Sequence, residues 1–356
     1  MLKDTALILT NGRLATADAK TAHGLIRGTE RFTIVGVIDP ISSGKDAGDI
    51  IDGRPRNIPV FESLGTFLEH HRQKPDYCII GVALSGGRLP EDWNDILLEV
   101  LNAQINLIGT MHQLLSEKPV LRAAARKNGV EIIDLRKPKP IDQLHFWSGE
   151  IFKVRAAKIA VLGMDCAIGK RTTARIITEM CRQEGIRTEM IYTGQTGWLQ
   201  GYQHGFIFDA TLNDFVSGEL EHAVVECDRQ SSPDLILIEG QSGLRNPSGP
   251  CGSEIIVSAN VKGVIMQHAP FRKHYEDLEH LNCLLPEVKD EIELIRMYGA
   301  QTLAVTLNGE GGTREELSDY RQNLSQQLQL PVVSPLHEGT AALLPVIRQF
   351  ISRRHQ

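Results

Sequence analysis

The stretch from Lys158 to Ala174 constrains the fold most, because an apolar strand there runs directly into a glycine-bearing turn and then a helix. Its sequence is KIAVLGMDCAIGKRTTA. Backbone N–H groups in the first turn of a helix have no partners within the helix, and the helix dipole adds partial positive charge there. With the ammonium of Lys170 at the same point, the stretch predicts a cradle for phosphate.

This stretch departs in two places from the phosphate-loop pattern G-x-x-x-x-G-K-[ST]. Met164 occupies the position of the first loop glycine, and Arg171 stands where the pattern has the hydroxyl that binds magnesium. The alternative interpretation is a turn whose glycines serve packing alone, but the order of strand, turn, lysine and threonines favours phosphate over that. The residues predicted to hold phosphate are Gly163, Asp165, Cys166, Ala167, Gly169, Lys170, Arg171, Thr172 and Thr173.

Length and charge narrow the class of protein. A chain of 356 residues is too long for one ordinary core and predicts two domains. The net charge of −6, without a basic block, argues against a nucleic-acid partner. No apolar run reaches the length of a membrane span, and the N-terminus lacks the layout of a signal peptide. We therefore expect a cytoplasmic protein that acts on a small molecule, with a homo-oligomer left open.

The six cysteines form no C-x-x-C pair, which argues against a disulfide framework and a structural zinc site. Cys166 differs from the others because it lies inside the predicted phosphate loop, where the helix N-terminus lowers a thiol pKa. No histidine adjoins it in sequence, so packing of the loop is favoured over a role as nucleophile.

The first half of the chain alternates strands and helices, which predicts a Rossmann-like parallel sheet in residues 1–137. An apolar strand from Phe32 to Ile38 ends in Asp39, as in dinucleotide-binding units. The G-x-G-x-x-G fingerprint is absent, and a fold without a bound dinucleotide is favoured. A glycine turn at 85–88 follows a later strand, and it is either a second anion pocket or only a tight turn.

The run Arg136-Lys137-Pro138-Lys139-Pro140 cannot form a regular helix or a central strand because of its two prolines. It predicts a linker over residues 138–152 and a second α/β domain over residues 153–356 that carries the phosphate loop. The fold class predicted is thus two parallel-sheet α/β domains, a Rossmann-like one and a P-loop one.

In the second half, polar residues follow the carboxyl ends of several predicted strands, the edge at which open α/β sheets bind ligands. Glu239 ends a continuous apolar strand and is a candidate to order magnesium or to take a proton. His268 ends another strand, and a catalytic role and a structural one are equally open. The predicted catalytic residues are Lys170, Glu239 and His268; the predicted substrate residues are Thr193, Gln195, Thr196, Gln241, Ser242 and Arg245; Asn308 is the candidate for an adenine edge.

Two stretches resemble dethiobiotin synthetase. Gly163 to Lys170 is similar to its G-T-D-T-x-x-G-K loop, and Ile238 to Gly243 is similar to its V-E-G-A-G-G turn. Over nearly its full length the chain resembles the D-glutamate N-acetyltransferase-like family, formerly a family of unknown function. That resemblance rests on KTAHGLIR at 20–27, the D-C-A-x-G-K-x-T-T loop at 165–173, TGQTG at 193–197 and EGQS at 239–242.

The second resemblance implies a Rossmann-like domain followed by a P-loop domain, and acetyl transfer from acetyl-CoA to the amine of D-glutamate. The family's loop also lacks the hydroxyl after the lysine. CoA carries phosphates that such a cradle can hold as readily as those of ATP. We therefore expect an acetyl-CoA-dependent N-acetyltransferase. An ATP- and magnesium-dependent ligase or kinase is the first alternative, and a nucleotide-binding module without catalysis is the second.

Overall fold

The structure is a computed structural model that describes residues 3–71 and 73–353. It divides into two compact units. The first contains the described residues up to Lys139 together with Gly194–Tyr202 and Asp209–Thr211, and the second contains the remainder. No helix in the described part of the chain is long and apolar enough to cross a membrane.

The first unit is built on a six-stranded sheet in the order β3-β2-β1-β4-β5-β6, with every neighbouring pair parallel. This order reverses between β1 and β4, as in Rossmann sheets. The strands are β1 Asp4–Leu9, β2 Phe32–Ile38, β3 Val60–Phe61, β4 Tyr77–Ile80, β5 Asn106–Gly109 and β6 Ile132–Asp134. The helices are α1 Lys20–Ile26, α2 Ala47–Asp52, α3 Leu64–His70, α4 Trp93–Asn102 and α5 Pro119–Asn128, and the inserted segment adds α7 Gln195–Leu199.

The second unit has its own six-stranded parallel sheet in the order β12-β11-β10-β7-β9-β8. Its strands are β7 Ala157–Gly163, β8 Thr188–Ile191, β9 Leu235–Glu239, β10 Gly263–His268, β11 Gln301–Leu307 and β12 Val332–Val333. Its helices are α6 Lys170–Gln183, α8 Asn213–Ser231, α9 Ser253–Ser258, α10 Val288–Met297, α11 Arg314–Leu328, α12 Pro335–Glu338 and α13 Leu344–Ser352. The predicted fold class is confirmed.

Local sequence explains where several elements begin and end. Central strands such as β7 and β9 are apolar along their length and buried at every position, as expected for a parallel sheet covered on both faces. Helix α5 has Pro119 in its first turn and ends at Gly129 in the left-handed region with φ 68°. Helix α11 starts with a capping box, in which the Thr313 side chain accepts from the Glu316 amide and the Glu316 side chain accepts from the Thr313 amide.

Some predicted elements differ from the observed ones. The sequence predicts a short helix over residues 111–116, whereas the structure has a 3₁₀ turn at Leu115–Glu117. The sequence predicts a helix from about Gly218 and a last helix from Gly339 to Arg353. In the structure α8 already begins at Asn213, and the last stretch is a 3₁₀ turn at Ala341–Leu343 followed by α13. The short helices α2, α7 and α9 have too few apolar positions for a periodic signal, which is why the sequence did not predict them.

Residues 140–152, most of the predicted linker 138–152, belong to the second unit. Two buried carboxylates on α8 hold this segment. Glu219 Oε1 accepts from the His145 amide at 2.9 Å and contacts His145 Nδ1 at 2.7 Å. Glu221 accepts from the Ser148 amide at 2.6 Å and from the Ile151 amide at 3.1 Å. These bonds satisfy backbone donors that a flexible linker would leave to water.

The strand β10 directs its last two side chains to opposite faces of the second sheet, because successive strand residues alternate. Gln267 bonds to Thr173 of α6, whereas His268 Nε2 lies 3.0 Å from the Tyr320 hydroxyl of α11. His268 Nδ1 is buried without a hydrogen-bond partner in the described part of the chain. Burial lowers the pKa of His268 to about 4, so the folded protein holds this imidazole neutral.

This burial predicts a pH-dependent contribution to stability. Below pH ~6.5 the unfolded chain protonates His268 while the folded chain does not, so the free energy of unfolding falls by about 1.4 kcal/mol per pH unit from this group until pH reaches its folded pKa. We expect His268→Gln to flatten the curve of unfolding free energy between pH 6.5 and 4.5. Denaturant titrations at a series of pH values measure this.

The matched control is His280→Gln, which replaces an exposed histidine. It should reproduce the pH dependence of the parent protein. If His268→Gln and the parent protein lose stability in parallel on acidification, His268 is not buried as a neutral group.

Candidate phosphate-binding site

The loop between β7 and α6 turns sharply to bring backbone amides to the helix N-terminus. Ala167 and Gly169 adopt left-handed conformations, with φ 52° and φ 100°. The amides of Ala167, Ile168, Gly169 and Lys170 donate to no group in the described part of the chain, and Ala167 is exposed. Unpartnered amides at the start of a helix of 14 residues form a site for an anion.

Gly163 has a steric role in this loop. A Cβ atom at Gly163 would lie 2.7 Å from Cδ of Lys170, so the lysine stem packs directly over this glycine. The Lys170 ammonium donates to the main-chain oxygen of Asp165. Lys170 is buried, and burial lowers its pKa, against the raising effect of negative charge at Cys166 and Asp165. A bound anion next to Lys170 would offset this cost of burial.

The Asp165 carboxylate fixes the conformation of the loop through hydrogen bonds. Its carboxylate is fully buried and accepts from the Cys166 amide at 2.7 Å, Asn246 Nδ2 at 2.9 Å, an Arg272 guanidinium nitrogen at 2.9 Å and the Glu276 amide at 2.8 Å. A carboxylate has about four acceptor positions, so these bonds use its capacity. The structure therefore places Asp165 as a support for the loop, with its oxygens occupied by protein donors.

The two loop threonines differ in whether their hydroxyl groups are already hydrogen-bonded within the protein. Thr173 Oγ1 donates to Gln267 Oε1 at 2.7 Å, and Thr306 Oγ1 donates to the same oxygen at 2.6 Å, in a buried network beneath the helix. Thr172 is half-buried, and its hydroxyl bonds to no group in the described part of the chain. Of the two, Thr172 is the hydroxyl that remains available to a ligand.

Cys166 is half-buried at the rim of the loop. Its Sγ lies 3.5 Å from Ser242 Oγ and 3.9 Å from Asn246 Nδ2. These contacts join the phosphate loop to the turn that follows β9. In residues 3–71 and 73–353 no group of three or more His, Cys, Asp or Glu side chains is arranged to hold a metal ion.

A second set of predicted residues meets at the carboxyl ends of β8 and β9. Glu239 Oε2 accepts from the Thr193 amide at 3.0 Å, and the Thr193 hydroxyl donates to the Glu239 main-chain oxygen at 3.0 Å. Gln241 Nε2 donates to the Thr193 hydroxyl at 2.8 Å. Glu239 is buried, so this cluster holds a carboxylate at the sheet edge next to the loop strand β7.

Glycines allow the turn after β9 to approach the phosphate loop. A Cβ at Gly240 would lie 2.4 Å from the main-chain oxygen of Val161, and one at Gly243 would lie 2.5 Å from that of Met164. Larger residues would therefore separate the two turns. The resemblance to V-E-G-A-G-G marked these positions, and close backbone approach is their physical reason.

Three other predicted substrate residues make contacts outside this cluster. Gln195 and Thr196 lie in the segment that packs into the first unit, where Gln195 Oε1 accepts from Arg136 at 3.1 Å and Thr196 Oγ1 lies 3.4 Å from Thr21 Oγ1. Arg245 donates to Glu291 at 2.6 Å, and burial raises the pKa of Glu291 against the lowering effect of this ion pair. Arg245 is thus engaged in a structural pair.

The two remaining predicted residues, Asn308 and His268, lie at the ends of β11 and β10. Asn308 Nδ2 donates to the main-chain oxygen of Ile168 at 3.3 Å, which places this amide against the phosphate loop. His268 packs into the layer that contains α11, on the sheet face opposite the layer of α6. Its contacts therefore favour the structural role over the catalytic one.

Sequence reasoning missed Arg272 and Asn246, which fix the loop through Asp165. Arg272 also donates to the main-chain oxygen of Cys166 at 2.9 Å and pairs with Glu276 at 2.6 Å. Arg272 follows the end of β10 by a few residues, and Asn246 follows the end of β9. Their position after strand ends was a signal, but nothing in the sequence linked either residue to Asp165.

In the first unit, the acid at the end of β2 serves the fold. Asp39 is fully buried and accepts from Thr10 Oγ1 at 2.7 Å, the Leu14 amide at 2.9 Å and the Ser42 amide at 3.0 Å. Dinucleotide-binding sheets use an acid at this place to bind a ribose hydroxyl. These internal bonds hold the Asp39 carboxylate in the turn after β1, which agrees with a Rossmann-like fold without that ligand.

Both halves of the chain are similar to known protein domains. Residues 145–344 match a P-loop domain described as a domain of unknown function, DUF1611_C, and residues 40–138 match a Rossmann-like domain described as DUF1611_N. A D-glutamate N-acetyltransferase of a Pseudoalteromonas species is 24% identical over 273 residues, which are 75% of this chain and 79% of that protein. Another protein of that name, from Tritonibacter scottomollicae, is 26% identical over 274 residues, 76% of this chain and 80% of the relative.

A solved structure agrees with the same grouping. The crystal structure of a DUF1611 family protein from Anabaena variabilis superposes with a TM-score of 0.87 at 25% identity, covering 97% of this chain and all of the other. The family resemblance predicted from the sequence is thereby confirmed, as are the Rossmann-like and P-loop domains. The chain belongs to the DUF1611 family.

Proposed function

We propose that this protein is an N-acetyltransferase that moves an acetyl group from acetyl-CoA to the amine of an acidic amino acid such as D-glutamate. The loop from Gly163 to Thr172 holds phosphates of the donor in this proposal. The observation that carries it is the row of unpartnered amides at the start of α6 beside the buried Lys170. The names of the two relatives support the acetyl transfer and the choice of acceptor.

The donor set of the loop fits CoA phosphates. Amides and an ammonium bind phosphate oxygens directly, without a metal. Arg171 replaces the hydroxyl that binds magnesium in the usual phosphate loop, and Thr173 is committed to Gln267. This arrangement favours a phosphate that is held by the protein alone over a metal-bridged triphosphate.

The remaining steps, removal of a proton and orientation of the base, are assigned to side chains of this protein. Acetyl-CoA, when bound, supplies the activated acetyl group. Glu239 is proposed to take the proton of the acceptor's ammonium, which leaves the nitrogen lone pair free to attack. The Thr193 amide orients this carboxylate, and Gln241 holds the Thr193 side chain in turn. His268 is given no part, because it lies in the layer of α11.

One observation favours a second candidate, an ATP- and magnesium-dependent ligase or kinase of the dethiobiotin-synthetase type. Glu239 stands at the end of the strand beside the phosphate loop, the place from which an acid orders magnesium in P-loop enzymes. In that function Glu239 would be a metal residue, and ATP would replace CoA on the loop. The two candidates differ in which ligand the loop binds.

The first prediction concerns donor binding by Lys170. We expect Lys170→Met to weaken CoA binding at least about tenfold, since a charge-assisted hydrogen bond contributes roughly 1.5–3 kcal/mol. Methionine keeps an apolar stem over Gly163, so the melting temperature should not fall. Isothermal titration with CoA, and with ATP plus magnesium in parallel, measures the effect.

The matched control is Lys262→Met, at an exposed lysine of the same unit. It should bind CoA like the parent protein. Unchanged CoA affinity in Lys170→Met contradicts the proposal. Binding of ATP only in the presence of magnesium, without binding of CoA, favours the ligase or kinase.

The second prediction separates the two candidate bases. We expect Glu239→Gln to lower kcat for acetyl transfer by about 100-fold or more, with CoA affinity unchanged, because general-base catalysis contributes on this scale. His268→Gln should keep kcat within a few-fold of the parent value. Steady-state rates with acetyl-CoA and D-glutamate test both variants. A collapse of kcat in His268→Gln, with full activity in Glu239→Gln, would reverse the assignment.

A further inference from the structure

The first unit contains a cavity of about 420 Å³ that the proposed function has not used. It opens at the carboxyl ends of β4, β5 and β6, beside the place where the strand order reverses. Ligands of open α/β sheets bind at this edge. The glycine turn at 86–87, Thr110, His112, Arg136, Asp209 and Lys20 line it. The sequence left open whether this glycine turn is an anion pocket or only a tight turn.

Arg136 forms a fixed wall of the cavity, because its side chain is only 10% exposed and bonded on several sides. Its Nε donates to the main-chain oxygen of Thr110 at 2.8 Å, and its terminal nitrogens contact the Asp209 carboxylate, His112 Nε2 at 2.8 Å and Gln195 Oε1 at 3.1 Å. Asp209 and Gln195 come from the inserted segments, so these segments complete the wall. The charge of Arg136 is balanced by Asp209.

One cation and one carboxylate oxygen in the cavity lining are not engaged by other groups in the described part of the chain. Lys20 is exposed and makes no ion pair in the described part of the chain. Asp209 contacts Arg136 and His112 through Oδ2 alone, and its side chain is 45% exposed. Burial and then the neighbouring Arg136 lower the pKa of His112, against the raising effect of Asp209, so the imidazole adds no charge at neutral pH. The formal charge of the lining is therefore positive, with an acceptor beside it.

The first unit does not offer the acid that a dinucleotide ligand uses. The ribose-binding acid of a dinucleotide site, Asp39, is committed to internal bonds. A Cβ at Gly87 would lie 2.6 Å from the His112 ring, so the turn is already in contact with the opposite wall. A cavity of about 420 Å³ is near the lower end of the range for ligand pockets. The space is large enough for a molecule the size of an amino acid.

We propose that this cavity binds a small acidic amino acid, with a carboxylate of the ligand on Lys20 and its ammonium on Asp209. A purely anionic ligand such as phosphate would use Lys20 but offer no donor to the Oδ1 oxygen of Asp209, whereas a molecule with both charges uses both groups. The choice of glutamate as the first probe rests on the proposed function. The binding itself is a property of the first unit and needs no acetyl transfer.

Isothermal titration of the full chain without CoA tests the proposal. The probes are D-glutamate, L-glutamate, glutarate as the dicarboxylate that lacks the amine, and inorganic phosphate. We expect a glutamate enantiomer to bind more tightly than glutarate, and both to bind more tightly than phosphate. Absence of binding by every probe at millimolar concentration overturns the proposal, as does phosphate binding that exceeds glutamate binding.

Two variants assign the contacts. Lys20→Met should weaken glutamate and glutarate binding about tenfold, since each loses a charge-assisted bond. Asp209→Asn should weaken glutamate about tenfold and leave glutarate unchanged or tighter, because only glutamate carries an ammonium. Asparagine keeps an oxygen for Arg136. An equal loss of both probes in Asp209→Asn shows that no ammonium contact exists and overturns the assignment.

The matched control is Lys127→Met, at an exposed lysine on α5 that does not line the cavity. It should bind all probes like the parent protein, and equal behaviour of Lys20→Met and Lys127→Met overturns the proposal. Lys170→Met separates this proposal from the previous one. Glutamate binding that survives in Lys170→Met, without turnover in the parent protein, supports the cavity and contradicts the acetyltransferase. If the parent protein turns over and Lys20→Met leaves its glutamate affinity unchanged, the acetyltransferase is supported and the cavity proposal is contradicted.

Discussion

The buried carboxylate of Asp165 is the interaction on which the phosphate loop depends. It gathers an amide from its own loop, an amide from the segment after β10, and side chains from the turns after β9 and β10. A buried charge is tolerated only when it is paired and hydrogen-bonded, and these donors fulfil that condition. Because Asp165 takes its donors from three turns, it fixes where they lie relative to one another. The amides of residues 167–170 keep no acceptor among the described residues, since the loop's own carboxylate is already occupied by other donors.

Much of this arrangement could be predicted from the sequence, because it follows from strand ends. Alternation of apolar strands and helices gave the two parallel sheets, and in such sheets the residues after the strands meet at one edge. This reasoning placed Glu239, Thr193 and Gln241 together, and the structure has them hydrogen-bonded. It also marked Gly163 as unusual. The packing of Lys170 over Gly163 explains why the glycine stands one place earlier than in the usual pattern.

What the sequence did not predict depends on direction and on long-range packing. Gln267 and His268 are neighbours in sequence, but the strand sends one side chain to α6 and the other to α11. The position of a residue at a strand end therefore does not show toward which face of the sheet its side chain points. The segments 194–202 and 209–211 follow strands of the second sheet and yet pack into the first unit, and no composition signal marks that exchange. Arg272 was missed because its partner Asp165 lies more than 100 residues away.

Arginine and lysine have different roles in the two candidate sites, and the difference indicates where a ligand enters. In the second unit Arg272 pairs with Asp165, and in the first unit Arg136 pairs with Asp209. Each arginine uses its planar set of donors to fix several chain segments, which suits a permanent wall. Lys170 and Lys20 make no ion pair in the described part of the chain. A lysine is a compact charge on a flexible stem, so it can meet an incoming anion without disturbing the wall. In each candidate site the arginine is thus paired within the protein, whereas the lysine makes no ion pair with a described residue and is the charge that a proposed anionic ligand would meet.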